Sequence, residues 1–133
     1  MRALPLLLLL AAPAVAQDKL AGTYAVKEFH REGKAVADEV KKSVTSVKIV
    51  SGTLTITMNG KEIVAKVKTD DRKKPAEIDL FPQNDPFEKE RAFKGIFEVK
   101  DGTLTITYVE DGDRPKDFAT DAKTSTKLVL EKK

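Results

Sequence analysis

The string Gly-Thr-Leu-Thr-Ile-Thr occurs twice, at Gly52–Thr57 and Gly102–Thr107, each time behind a turn-forming residue, Ser51 or Asp101. In both copies threonine alternates with an aliphatic side chain. A two-residue period places Leu54, Ile56 and Met58 on one face of an extended segment and the threonines on the other, and Leu104, Ile106 and Tyr108 repeat the arrangement. A chain that does this twice, each time directly out of a tight turn, is committed to half-buried antiparallel strands joined as hairpins.

The same punctuation runs along the chain. Asn59-Gly60, the strongest short hairpin signal, separates 53–58 from 61–68. Together with segments 20–29, 44–50, 76–81, 92–99, 103–108 and 126–132, these make eight expected strands. The first is closed by the turn Arg31-Glu32-Gly33-Lys34. Ala37–Lys42, with Asp38 and Glu39 ahead of Lys41 and Lys42, carries the charge order that suits a short helix. The polar stretch 70–75, the stretch 82–91 with Pro82 and Pro86, and the turn-rich 109–125 read as loops. Left as an open sheet, eight short sequential strands would expose two edges and an apolar face, and closing the first on the last removes both problems. The expected fold is therefore all-β, an eight-stranded antiparallel up-and-down barrel with one short helix. The interior of such a barrel is either filled by side chains or just wide enough for one small ligand, and both outcomes stay open at this stage.

Met1 and Arg2, the apolar run Leu4–Ala12 broken only by Pro5, and the small-x-small site Ala14-Val15-Ala16 have the form of a secretory signal peptide. Residues 1–16 are thus expected to be removed after Ala16, leaving a single domain over 17–133 that is secreted or periplasmic. The apolar run falls short of the roughly 20 residues that span a bilayer. The strands are also shorter than the roughly 9–11 residues of a membrane barrel, and Glu62, Lys66 and Lys68 face away from Ile63, Ala65 and Val67, so no integral membrane insertion is expected. The chain has no cysteine, which removes lipid acylation, disulfides, thiol catalysis and thiolate metal sites. Its net charge is only +3, its lysines are interspersed with acids, and it has no Trp. Without a basic stripe and stacking aromatics, nucleic acid is not an expected partner.

Leu20-Ala-Gly-Thr-Tyr24, Lys74-Pro-Ala-Glu-Ile-Asp-Leu80, Gly95-Ile-Phe-Glu-Val99 with Asp101-Gly-Thr-Leu104, Asp113-Arg-Pro-Lys-Asp-Phe118 and Leu128-Val-Leu130 follow one another in this order. In this the chain resembles the planctomycete-type lipocalin-like domain family of unknown function, over essentially the whole of 17–133. The resemblance implies an exported small β-barrel and brings no activity with it. Gly22-Thr23-Tyr24 is similar to the Gly-x-Trp signature of lipocalins, with Tyr for Trp. By the same resemblance Lys132 takes the place of the basic residue that closes one barrel end, although an ammonium cannot reproduce a stacked guanidinium.

Chemistry-bearing residues are sparse. His30 is the only histidine and has no second His or Cys to complete a transition-metal site, so it reads as a strand-end residue. Asp70, Asp71, Asp111 and Asp113 lack the calcium-loop spacing and read as turn formers. Ser43, Ser46, Ser51 and Ser125 have no Gly-x-Ser-x-Gly setting and no evident base. In Asp113–Phe118, Pro115 is expected to fix a crossing, Phe118 to plug a barrel end and Arg114 to pair with an acid or carbonyl; the competing reading turns Arg114 into the cavity as an anion anchor. Alternation points Tyr24, Ala65, Phe97 and Tyr108 inward. Small Ala65 and Gly95 leave room and the two tyrosines offer hydroxyls, which makes Tyr24, Ala65, Phe97 and Tyr108, with Arg114, the cavity candidates.

The expected protein is a non-enzymatic, monomeric, lipocalin-like barrel without cofactor or metal that binds a small apolar or amphiphilic ligand. The alternative is a filled barrel acting as an interaction or inhibitor module of the cell envelope through its loops. An enclosed apolar void of about 300 Å³ or more favours the binder, whereas a filled interior with exposed aromatics at one loop end favours the interaction module.

Overall fold

A computed structural model describes residues 20–83, 92–110, 112–118 and 125–133. Residues 1–19, with the expected signal peptide among them, as well as most of the 82–91 loop, Asp111 and 119–124, lie outside this set. Strands β1 (Gly22–Arg31), β2 (Lys34–Ala35), β3 (Val44–Val50), β4 (Thr53–Met58), β5 (Lys61–Asp70), β6 (Ala76–Pro82), β7 (Phe93–Lys100), β8 (Thr103–Val109) and β9 (Ser125–Lys132) form one sheet, with a six-residue helix α1 (Asp38–Ser43) between β2 and β3. Every pairing is antiparallel; β1 is followed by β3 to β9 in chain order while β2 pairs only with β1, and β1 closes on β9 from Tyr24 opposite Lys132 to Arg31 opposite Thr126. The result is the closed, eight-stranded up-and-down barrel expected. The addition is β2, a two-residue stub that continues the Arg31–Lys34 turn as a small hairpin on β1.

Turn chemistry sets the register. Glu32-Gly33, Ser51-Gly52, Asn59-Gly60 and Asp101-Gly102 all have positive φ at both positions, the two-residue turn whose twist matches the strands it joins. With register pinned at these turns, the period of two carries Leu54, Ala65, Leu104, Ile106 and Leu130 to one continuous interior.

The two barrel ends differ. One holds Leu20, the Ser51-Gly52 and Asp101-Gly102 turns and the 71–75 loop. Large side chains with at most 4% exposure fill it, among them Leu20, Tyr24, Ile49, Leu54, Leu104 and Leu130. The buried Tyr24 hydroxyl donates to the Leu20 carbonyl at 2.6 Å. Lys132 stands opposite Tyr24, and its stem lies over Gly22, where a Cβ would come within 2.8 Å of Cε. At the other end, around α1 and the Asn59-Gly60 turn, Val26, Phe29, Val44, Ile56, Phe93 and Tyr108 are only partly buried against the core. This end is the mouth.

The outer face is not uniformly wet. Ile96, Thr107, Val109 and Val129 alternate with inward residues yet are buried, each at most 8% exposed. Water on the whole exterior, as the pattern at Glu62–Lys68 suggests, holds for β5 and fails for β7–β9.

Candidate functional site

Three recesses involve the cavity candidates, and each lies in a different place. The first is the mouth, a space of about 200 Å³ whose wall comes from β1, β3, β4, β5, β8 and β9, with Val26, Phe29, Val47, Ile56 and Leu128 among its apolar members. Tyr108 belongs to it. The second, also about 200 Å³, lies on the seam between β1 and β3, lined by Tyr24, Ala25, Lys41, Lys42 and Ser46 among others. The third, about 300 Å³, is a cleft at the opposite end, where Phe97 and Phe118 meet Asp71, Pro75, Ala76, Glu98 and Val99.

The seam arises from the pairing. β1 meets β3 only over Gly22–Tyr24 and meets β2 only at His30 and Arg31, leaving the middle of β1 without a strand on that side. A β-strand edge needs its backbone groups satisfied. Here the Val36 amide donates to the Phe29 carbonyl at 3.0 Å and Lys41 Nζ to the Lys27 carbonyl at 3.2 Å.

Ala65 is a core residue, 8% exposed, and Tyr24 has its hydroxyl committed to Leu20. Arg114 is not in the mouth. Its Nη2 lies 2.8 Å from Asp79 Oδ1 and its Nε 3.7 Å from Glu77 Oε1, while Nη1 donates to the carbonyls of Gly95 and Ile78 at 2.9 and 3.2 Å. Glu77 and Asp79 alternate with the inward Ile78 and Leu80, so the guanidinium clamps segment 112–118 to the outside of β6 and β7. The acid and carbonyl partners are those expected of a structural arginine.

Tyr108 is different. Its ring stacks on Phe93, centroids 5.9 Å apart and planes 3° from parallel. Its hydroxyl is hydrogen-bonded to the side chain of Thr126, and burial pushes its pKa above the usual 10.0, with Glu110 adding to the rise and Arg31 and the Thr126 bond opposing it. Burial likewise raises Tyr24. These are the only two tyrosines in the chain. A raised value means that the folded state holds the proton more tightly than the unfolded chain. The associated stability is therefore fully present below about pH 10 and is lost as pH rises through the folded-state values. Phenolate absorbance is expected to appear above 10 in the folded protein and at about 10 in denaturant; overlapping curves would contradict the burial of both hydroxyls.

Elsewhere, His30 Nε2 lies 3.1 Å from Glu28 Oε1, and that hydrogen bond holds the Glu28 carboxyl below its ordinary range. Asp70 accepts from the Arg72 amide and Nε at 3.1 Å each, and the pairing lowers its pKa as well. Both are local, exposed pairs. Among the described residues no group of three or more His, Cys, Asp or Glu is placed to hold a metal ion.

Sequence reasoning placed Tyr108 correctly inside but missed Arg31, which reads as the start of a turn and proves to be the last inward residue of β1. No family model matches the chain, and no curated protein and no solved structure matches it either, so the barrel itself is what is established.

Proposed function

We propose that the protein is an exported, non-enzymatic, lipocalin-like barrel that holds one small apolar or amphiphilic molecule in the mouth recess. The observation that carries this is the asymmetry of the interior: one half is packed by large side chains, while the other leaves about 200 Å³ between six strands whose lining is apolar except for Arg31, Thr126 and Tyr108. The cleft at the opposite end is larger but carries two acids, Asp71 and Glu98, on its shorter wall, where the mouth carries the single charged residue Arg31. An apolar molecule gains most where the wall is apolar.

The size restricts the ligand. Drug-sized sites run to roughly 300–1,000 Å³, and an apolar void of about 150 Å³ accepts benzene, so this recess suits about one ring or a short chain. It is smaller than the space the sequence led us to expect of a ligand-binding barrel. Among the described residues the large exposed apolar side chains, Val40, Val50, Ile63 and Val99, sit on four different elements, and of these only Ile63 belongs to the mouth. Within the described residues, that dispersal favours the binder over an interaction module built on a contiguous apolar patch of the strands. The test is native mass spectrometry of the protein purified from its own host, before and after denaturing extraction. A stoichiometric small mass that extraction removes is the expected result; an apo mass alone, with no ring-sized probe retained on addition, would overturn the reading.

A further inference from the structure

The polar groups of the mouth stand on one wall. Arg31 pairs across β1 and β9 with Thr126, and Thr126 pairs across β9 and β8 with Tyr108, so three adjacent strands present a guanidinium, a hydroxyl and a phenol abreast at one level. All three line the recess whose remaining lining is aliphatic or aromatic, apart from the thioether of Met58. Neighbouring strands lie about 4.8 Å apart, so the row is about as wide as a carboxylate with its two flanking donors. Tyr108 and Thr126 are already bonded to each other and held by the Phe93 stack. Arg31 is the exposed member: 58% of its side chain is accessible, and its ion pair with Glu110 is long, 3.8 Å from Nη2 to Oε2. An exposed pair at that distance contributes little, so a competing carboxylate displaces it at small cost.

Resting on the reading of the mouth as a ligand site, we infer that the row Arg31, Thr126 and Tyr108 is a head-group site for a carboxylate, which makes the ligand a small amphiphilic monoanion that enters apolar end first. The planar guanidinium presents a fork of N–H donors to both carboxylate oxygens, a geometry that neither an alcohol nor an ammonium engages. Glu110 beside it disfavours a second negative charge, which restricts the class to monoanions. It also makes a cationic amphiphile the competing occupant.

Three probes share one tail and differ in charge: 3-phenylpropanoate, 3-phenylpropanol and 3-phenylpropylamine, titrated into the full chain at neutral pH. The carboxylate is expected to bind about fivefold more tightly than the alcohol. Arg31→Gln is expected to bring the carboxylate's affinity down to that of the alcohol measured on the same variant, with thermal stability unchanged because the side chain is exposed, while Arg31→Lys retains part of the difference. Equal affinity for carboxylate and alcohol, or preference for the amine, overturns the head-group assignment and leaves the apolar recess standing. Failure of all three probes to bind overturns the recess as a ligand site and the head-group site with it.

Discussion

Gly95→Val is expected to destabilise the barrel by about 3 kcal/mol, at the upper end of the range for overpacked positions. Gly95 lies in β7 between Ile78 of β6 and Tyr108 of β8. A Cβ there would come within 2.6 Å of the Thr107 carbonyl oxygen, 2.8 Å of Tyr108 Cβ and 3.1 Å of Tyr108 Cα. Two of these obstacles are backbone, so no rotamer change relieves the contact and β8 itself must move. The displaced residue is Tyr108, stacked on Phe93 and bonded to Thr126, so the strain falls on the mouth. At roughly 4–8 °C per kcal/mol for a small domain, the melting temperature is expected to fall by more than about 10 °C. Gly95→Ala shows most of the loss if the Cβ is the cause. A melting temperature unchanged by Gly95→Ala would contradict the close approach of β7 and β8.

Arg114→Leu is expected to cost about 2 kcal/mol, less than a fully buried ion cluster because the partners are about one third exposed. The substitution removes the cation between Glu77 and Asp79 and leaves the carbonyls of Ile78 and Gly95 without their donor. It takes nothing from the mouth recess. Thermal stability is therefore expected to fall while affinity for 3-phenylpropanol stays unchanged. Lost probe binding at unaltered stability would make Arg114 a ligand residue and contradict its placement as an outer clamp.

The turns were legible because their chemistry is local. Ser51-Gly52, Asn59-Gly60 and Asp101-Gly102 each name a left-handed pair from two residues, and alternation then assigns faces to the strands on either side. Closure was legible by elimination of exposed edges, although the register that brings Tyr24 opposite Lys132 is a long-range fact that no local pattern encodes. The outer burial of Ile96, Thr107 and Val129 could not be read, because threonine and aliphatic residues alternate identically whether the polar face meets water or other protein. Arg114 was readable as an arginine with acids available, and its two carbonyl acceptors, contributed by β6 and β7, were not.

The mouth row shows the same division. Tyr108 falls out of the second Gly-Thr-Leu-Thr-Ile-Thr copy. Arg31 does not, because register shifts between Val26 and Glu28 in its pairing with β9, and such a bulge reverses the facing of every residue beyond it. Counting from Tyr24 without that shift sends Arg31 outward; with it, Phe29 and Arg31 line the recess. A Lys-Glu-Phe sequence carries no signal for the shift. The seam beside it, where β1 has neither β2 nor β3 as a neighbour, is equally a product of tertiary pairing.

The chain has two methionines, and Met58 is in the wall of the mouth recess. Selective labelling of methionine methyl groups therefore places a single reporter at the proposed site. Titration of 3-phenylpropanol into the labelled protein is expected to shift the Met58 methyl signal saturably, with a dissociation constant of about 0.1–1 mM, as befits a ligand of roughly ten non-hydrogen atoms in a half-open recess. A Met58 signal that does not move at millimolar probe would contradict an accessible apolar site at the barrel mouth, and with it the ligand-binding account of the protein.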